Sequence, residues 1–201
     1  IFRVDLDMQA VEIARLNLLL RSLAKRETLP SLADNIRQGN SLISGTEEEL
    51  RSYFGDNWRE KKPFNWEQEF EDIVADGGFD VVIGNPPYVR VDSLPDDEKA
   101  FWKEKFESAV GKYDSYYLLL ELAFKLVSKS GVFAFITPNR YCTNTTGERL
   151  RKLILSKGKR IIVASVSRLP VFEEAANYPV ITIVHKTPKA GTKRLSYFDV
   201  A

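Results

Sequence analysis

The chain has 201 residues, of which 44% are hydrophobic and 28% are charged, and its formal net charge is +1. This length and composition suit one globular domain with an apolar core, and no apolar run is long enough to span a membrane. The opening IFRVDLDMQA lacks the pattern of a secretory signal, and the single cysteine, Cys142, excludes an intrachain disulfide, so a cytoplasmic location is expected.

The hydrophobic pattern predicts strands that alternate with helices. IFRVDLD is interpreted as a strand already under way at residue 1, and Asp7 can cap the helix that follows, in which apolar residues recur at helical spacing. Residues 35–38 are a short strand candidate. Residues 44–76 are charged with scattered aromatic side chains, which predicts a surface insertion with some helix rather than a core element.

The second half continues the same alternation. FDVVIG is expected to be a strand buried on both faces, residues 116–129 a helix ended by Gly131, and GVFAFIT a second buried strand. Thr145 and Glu148 have the spacing of a capping box, which predicts a helix through Leu155. RIIVASV and VITIVHK are expected to be the last two strands.

This order predicts the α/β class, with a doubly wound, mostly parallel sheet. Two successive strands near the C-terminal end indicate that one of them is antiparallel. Ligands of such sheets bind at the carboxyl ends of the strands. The rule points to residues 5–7, 39–41, 85–88 and 137–140.

The most specific chemistry lies in Asn85-Pro86-Pro87-Tyr88, directly after a predicted strand. Two prolines stiffen the turn, and Pro86 biases Asn85 towards an extended backbone. The Pro86 carbonyl and the Asn85 side-chain carbonyl then offer two rigid acceptors to a neutral –NH2 group. When both hydrogens are accepted, a conjugated amine can rehybridise and aim its lone pair at a methyl donor. Tyr88 can stack on the ring that carries the amine.

FDVVIGNPPY resembles motif IV of the amino-methyltransferases, while VDLDMQAVEIARLNLLL and QGNSL are similar to their motifs II and III. The order of segments resembles the adenine-N6 DNA methyltransferases of restriction–modification systems, particularly the single-polypeptide type II restriction and methylase enzymes. The resemblance implies a Rossmann-like class I methyltransferase fold and S-adenosylmethionine as cofactor. It also implies the N6 amino group of an adenine flipped out of double-stranded DNA as substrate.

The resemblance also implies cofactor-binding residues. Asp5 lies where the family places the acidic residue that holds the cofactor ribose hydroxyls, and Asp7 is the alternative. Asn40 lies where motif III places a polar side chain beside the cofactor adenine.

For the target base, the resemblance gives the N-P-P-Y residues the roles described above, with Tyr88 stacking on one face. Phe172 lies where the family places an aromatic residue on the other face of the flipped base, and Tyr178 is the alternative. Tyr113, Asp114 and Tyr116 lie where motif V approaches the cofactor, although a helix cap at Asp114 is the simpler interpretation.

The charge distribution is uneven. Residues 47–107 hold 17 acidic and 8 basic side chains, whereas residues 140–194 hold 3 acidic and 12 basic ones. The second half could therefore face a polyanion, or the two halves could be solvated faces of opposite sign. Arg140, Tyr141 and the basic residues of 149–168 are candidates for contact with either DNA or solvent.

The family's glycine-containing motif I is expected before IFRVDLD, and its target-recognition domain after the last strand. The 201 residues are therefore expected to be a partial catalytic domain, inactive alone and weak in cofactor binding. The missing segments would lie in the same or a separate chain. No metal site is expected, because the lone His185 has no suitably spaced partners.

Two alternative functions remain open. A protein glutamine N5-methyltransferase could also use N-P-P-Y, because a glutamine amide presents a planar –NH2 group; the charged insertion and the segment VF…NYP argue against it. A catalytically inactive methyltransferase fragment is the other, and it is favoured by the missing motif I.

Overall fold

A computed structural model describes residues 1–24, 32–168, 178–186 and 193–200. The chain forms two compact units, residues 1–69 and residues 70–201. Each unit has its own sheet. Parallel strand pairs joined through helices occur in both, so the predicted α/β class is confirmed. In the described part of the chain, no helix is long and apolar enough to cross a membrane.

The N-terminal unit begins with a strand, a helix and a strand: β1 (Arg3–Asp5), α1 (Met8–Ala24) and β2 (Ile36–Gln38). β1 and β2 pair in parallel, with Asp5 opposite Gln38. The predicted cap is confirmed, because the Gln9 amide donates to Asp7 Oδ1 at 2.9 Å. Where the two strands end, Asp5 and the residues after Gln38 come to the same edge of the sheet.

Helix α1 buries only part of its apolar surface. Val11 and Ala14 pack with Ile36, because this face lies on the small sheet. Four other large apolar side chains of α1 are each more than half exposed: Ile13, Leu16, Leu20 and Leu23. Two strands offer too narrow a surface to cover a helix that is apolar over most of its circumference.

The predicted insertion is helical but contributes to the interior. It contains α2 (Glu47–Phe54), a 3₁₀ turn (Gly55–Lys61), α3 (Trp66–Glu69) and α4 (Glu71–Ala75), the last in the C-terminal unit. Leu50, Phe64 and Phe70 are at most 5% exposed. The expectation that this stretch holds no core element was therefore wrong, because a few large side chains suffice to anchor an otherwise polar segment.

The C-terminal unit holds the larger sheet. Its elements are β3 (Phe79–Gly84), α5 (Asp96–Lys105), α6 (Ser115–Leu126), β4 (Val127–Pro138), α7 (Arg140–Thr143), α8 (Glu148–Lys157), β5 (Arg160–Ser165), β6 (Pro179–His185) and β7 (Arg194–Asp199). The strand order is β3-β4-β6-β5-β7. β6 is antiparallel to both of its neighbours, as predicted for one strand near the C-terminal end, while β3–β4 and β5–β7 are parallel.

Strand β3 was expected to be buried on both faces, and this was wrong. β3 is an edge strand, and its Val81 and Ile83 side chains are 60% and 77% exposed. Helix α6 packs on β3 and β4. The apolar composition of β3 had suggested that both of its faces are buried. Burial of a strand face, however, depends on which elements pack against it.

The limits of several elements also differ from prediction. Helix α6 ends at Leu126, and β4 begins at once, so Gly131 lies inside the strand. A Cβ at Gly131 would approach the Phe79 carbonyl oxygen to 2.8 Å, which explains the glycine. Helix α8 begins at Glu148 after Gly147 with no side-chain cap, so the predicted capping box is absent at this helix. Helix α5 and strand β7 were not predicted.

Gly78, in the turn before β3, is expected to be intolerant of alanine. Its φ is +107°, and an added Cβ would lie 2.6 Å from the Leu126 carbonyl oxygen. Gly77 has a φ of +98° but nothing within 4 Å of an added Cβ. Gly77→Ala should therefore cost the backbone strain alone, about 1–3 kcal/mol, and Gly78→Ala distinctly more. Urea unfolding of the two variants measures the difference; equal losses would contradict the close approach to Leu126.

Candidate active site

The N-P-P-Y segment (residues 85–88) lies at the carboxyl end of β3. Gly84 is the last residue of the strand, and a side chain is disfavoured there because an added Cβ would lie 2.5 Å from the Phe135 ring. Asn85 and Pro87 are exposed, whereas Pro86 is buried. The Asn85 amide thus stands at the surface on a backbone anchored by the proline that follows it. This is the position that the sequence predicts for a ligand-binding turn.

Tyr88 closes this segment and is half-buried. Its ring centroid lies 6.2 Å from that of Tyr116, with the two planes at 77°, an edge-to-face arrangement. Burial raises the pKa of the Tyr88 hydroxyl above its usual value. The side chain is therefore a neutral aromatic surface at neutral pH, which suits stacking on a planar ring.

A cleft lies beside Tyr88. It has a volume of about 540 Å³ and is lined by Tyr88, Val89, Arg90, Asp92 and Ser93. The cleft is shallow and wide open to solvent, so its volume alone does not mark an enclosed ligand pocket. Arg90 pairs with Asp92 at 3.6 Å, so the cleft combines an aromatic side chain with charged ones.

The carboxyl end of β4 lies at the same edge of the sheet. The Asn139 amide donates to the Tyr178 carbonyl oxygen at 2.9 Å, and Pro138 pairs with Pro179. Tyr178, the alternative stacking residue, is 64% exposed there. Phe172, the first choice for that role, lies outside the described residues.

Asp114 occupies the N-cap position of α6, as predicted, but its side chain makes no capping hydrogen bond. Instead its carboxylate lies 3.8 Å from the guanidinium of Arg140. Burial raises the pKa of Asp114, while the charges of Arg140 and Arg90 oppose that rise. Arg140 therefore has an intramolecular partner, although about half of its side chain is exposed.

Tyr141 was a candidate for contact with DNA or solvent, but its side chain is buried. It is 3% exposed, and its hydroxyl forms a hydrogen bond with Thr182 of β6. Within the basic stretch, Arg151 donates to the carbonyl oxygens of Tyr141 and Asn144, so it supports local structure.

Ser115 contacts the N-P-P-Y segment and was missed by sequence reasoning. Its hydroxyl donates to the Pro87 carbonyl oxygen at 2.9 Å. The only local signal was a small polar residue at the start of a helix, which is more simply interpreted as a capping residue. Nothing in the sequence indicates a partner 28 positions earlier.

The candidate cofactor residues lie in the N-terminal unit. Asp5 ends β1, and its Oδ1 accepts the Asp7 amide at 3.0 Å while its Oδ2 pairs with Arg3 at 2.9 Å. The Arg3 contact is solvent-exposed and easily exchanged. A carboxylate at a strand end suits a vicinal diol, so Asp5 fits the ribose of the cofactor. Asp7 is occupied by the cap of α1.

Asn40 follows β2 and is fixed by its own turn. Its Oδ1 accepts the Leu42 amide at 3.1 Å, and its backbone amide donates to the Lys62 carbonyl oxygen at 2.6 Å. The side-chain nitrogen remains a donor, which fits a ring nitrogen of adenine better than the adenine amino group. Within the described ranges, no cluster of His, Cys, Asp or Glu could hold a metal ion.

The family model of the Eco57I restriction-modification methylases matches residues 1–172. The chain belongs to this family. One relative of this chain is the type II restriction enzyme and methyltransferase RM.Eco57I of Escherichia coli, which is 28% identical to it over 199 residues. That match covers 92% of this chain but only 19% of the relative. The type II methyltransferase M.PaeR7I of Pseudomonas aeruginosa is 29% identical over 131 residues, covering 64% of this chain and 23% of the relative.

Solved structures confirm the fold of this Eco57I-family chain. The DrdV–DNA complex superposes with a TM-score of 0.68 at 18% identity, over 98% of this chain and 21% of that one. A protein of Listeria monocytogenes described as a class I S-adenosylmethionine-dependent methyltransferase has a TM-score of 0.57 at 17% identity, over 98% of this chain and 48% of that one. The predicted class I methyltransferase fold is confirmed, and the family and this neighbour support S-adenosylmethionine as the cofactor.

Proposed function

We propose that this chain is part of the catalytic domain of a cytoplasmic DNA methyltransferase that methylates the N6 amino group of adenine. One observation carries the proposal: the N-P-P-Y segment lies at the carboxyl end of β3 with an exposed Asn85, a buried Pro86 and a half-buried Tyr88. Family membership supports methyl transfer within a restriction–modification system. The N-P-P-Y chemistry supports a planar amine as acceptor.

In the proposed mechanism, Asn85 Oδ1 and the Pro86 carbonyl oxygen accept the two amino hydrogens of the target base. This withdraws the nitrogen lone pair from the ring and directs it out of the ring plane. S-adenosylmethionine, when bound, supplies an electrophilic methyl group. Neither protein group needs to be a strong base, because the nitrogen becomes cationic on taking the methyl group and would then lose its proton to water.

Tyr88 would stack on the ring of the base and hold its plane. An adenine paired in duplex DNA cannot present its amino group to such a segment, so it must leave the helix at a cost of a few kcal/mol. Stacking on an aromatic side chain contributes roughly 1–3 kcal/mol per base and offsets that cost. Phe172 or Tyr178 would supply the second stacking surface.

Asp5 and Asn40 would hold the adenosine part of the cofactor. The Asp5 carboxylate would accept from the ribose hydroxyls after releasing Arg3, and Asn40 would donate to the adenine ring. We assign no residue of this chain to the methionine end of the cofactor. The glycine-containing motif I predicted for that role would come from further polypeptide.

The chain spans about a fifth of the length of RM.Eco57I. We propose that the complete enzyme adds motif I and a target-recognition domain, in the same or a separate chain. Exposed apolar side chains support this: Val81 and Ile83 on β3, and one side of α1, are uncovered. Large uncovered apolar surfaces usually mark contacts with other polypeptide.

Product analysis tests the proposed function. The complete enzyme is incubated with methyl-labelled S-adenosylmethionine and with duplex DNA of mixed sequence. The DNA is then digested to nucleosides. We expect the label in N6-methyldeoxyadenosine and none with the 201-residue chain alone. Label in methylated cytosine, or in a glutamine of an added protein substrate, would contradict adenine as the target. If the complete enzyme also gave no label at saturating cofactor, the alternative of a catalytically inactive methyltransferase would be favoured.

A further inference from the structure

A short antiparallel contact fixes the backbone after the N-P-P-Y segment. The clamp segment (residues 113–115), which ends at the first residue of helix α6, pairs with residues 89–91. The Val91 amide donates to the Tyr113 carbonyl at 2.9 Å, and the Ser115 amide donates to the Val89 carbonyl at 2.8 Å. The chain leaving Tyr88 is thereby tied to the start of a buried helix.

The Ser115 side chain adds a contact with a specific geometry. Its hydroxyl donates to the Pro87 carbonyl oxygen at 2.9 Å and accepts the Val89 amide at 3.4 Å. The Pro87 carbonyl belongs to the peptide bond before Tyr88, and the Val89 amide belongs to the one after it. One hydroxyl, on a residue that is 6% exposed, therefore contacts both peptide groups that flank Tyr88.

The N-P-P-Y segment needs such an external donor. Pro86 and Pro87 lack backbone N–H groups, so the turn cannot be held by amide donors of its own at these two positions. An acceptor left without a partner at a partly buried site is costly and would favour rotation of the peptide. Rotation of the Pro87–Tyr88 peptide would tilt the Tyr88 ring relative to the acceptors of Asn85 and Pro86.

We propose that Ser115 is a positioning residue for methyl transfer: its hydroxyl sets the orientation of Tyr88 and the adjacent acceptors. This inference rests on the proposed function of the N-P-P-Y segment. Ser115 acts through the backbone of residues 87–89. Ser115 therefore affects the rate of methyl transfer and the binding of the target base. It does not affect cofactor binding by the residues of the N-terminal unit.

Ser115→Ala in the complete enzyme is expected to lower kcat about 10- to 100-fold, since displacements of about 1 Å at reacting groups cost up to about 100-fold. The dissociation constant of S-adenosylmethionine should stay within about twofold of the wild-type value, because the effect on the rate arises at the backbone around Tyr88. Ser115→Thr retains the hydroxyl and should recover most of the lost rate. Steady-state kinetics and calorimetric titration with S-adenosylmethionine give the two quantities separately.

Ser108 supplies the matched control. It is 1% exposed, in the same unit, and its hydroxyl has no hydrogen-bond partner among the described residues. Ser108→Ala removes an equally buried hydroxyl and should leave kcat unchanged. A loss in Ser115→Ala no larger than in Ser108→Ala would overturn the proposal, as would an equal loss of rate and cofactor affinity.

Two further measures keep the test decisive. Should Ser115→Ala fail to fold, Ser115→Cys, with a weakly bonding thiol, replaces it and is expected to show the same loss of kcat. The rates are measured on whichever –NH2 substrate the wild type labels. A wild type that methylates glutamine would end the adenine assignment, while the effect of Ser115 could still be measured.

Discussion

In the complete enzyme, Asn85→Ala is expected to lower kcat for methyl transfer by about 10²- to 10³-fold, the usual cost of losing one preorganised hydrogen-bonding partner. Asn85 is exposed at the carboxyl end of β3, and its side-chain oxygen would accept one of the two amino hydrogens. The candidate cofactor residues are Asp5 and Asn40, so the affinity for S-adenosylmethionine should change little. Labelled methyl transfer and cofactor titration measure the two effects.

A matched control and a graded variant sharpen this prediction. Asn144 is also an exposed asparagine of the C-terminal unit, so Asn144→Ala should retain near wild-type kcat. Asn85→Asp keeps an oxygen acceptor and should lose less than Asn85→Ala. Near-full activity of Asn85→Ala on cognate DNA would show that the N-P-P-Y interpretation is wrong.

Tyr88→Ala is expected to weaken productive binding of the target base about 5- to 150-fold, which corresponds to the roughly 1–3 kcal/mol that an aromatic platform contributes. Tyr88→Phe should be mild, because the ring provides the stacking surface. DNA with 2-aminopurine at the target position reports extrusion of the base. Its fluorescence should rise on binding to the wild type and rise less with Tyr88→Ala.

The same fluorescence measurement distinguishes the residues proposed for the other face of the base. If Phe172 stacks there, Phe172→Ala should reduce the rise and Phe172→Trp should preserve more of it. If Phe172→Ala gave the full rise and Tyr178→Ala abolished it, the stacking role would belong to Tyr178. The exposed position of Tyr178 at the carboxyl end of β4 keeps that alternative open.

The parts of the site that could be predicted from sequence are those encoded locally. Asn85-Pro86-Pro87-Tyr88 directly follows an apolar strand, and the prolines constrain their own backbone whatever surrounds them. The Asp7 cap was predictable for the same reason, because its contact spans two residues. The roles proposed for Asp5 and Asn40 come from family resemblance alone and stay predictions.

The features that escaped prediction depend on distant partners. Ser115 matters through a carbonyl 28 residues away, and Asp114 turns from its helix towards Arg140. The exposure of Val81 and Ile83 depends on the position of β3 at the sheet edge. Strand β7 is mostly exposed, so it lacks the strong alternation by which strands are recognised.

The position of β6 governs how the C-terminal unit can assemble. β5 precedes β6 in the chain, yet β5 is joined to β4 only through β6, and Val184 pairs with both Phe133 and Ile161. During synthesis, β5 cannot join the growing sheet until residues beyond 178 have emerged. Until then the edge of β4 that β6 will cover stays open, and open strand edges promote aggregation. The unit is therefore expected to fold late and to benefit from chaperones while it is translated.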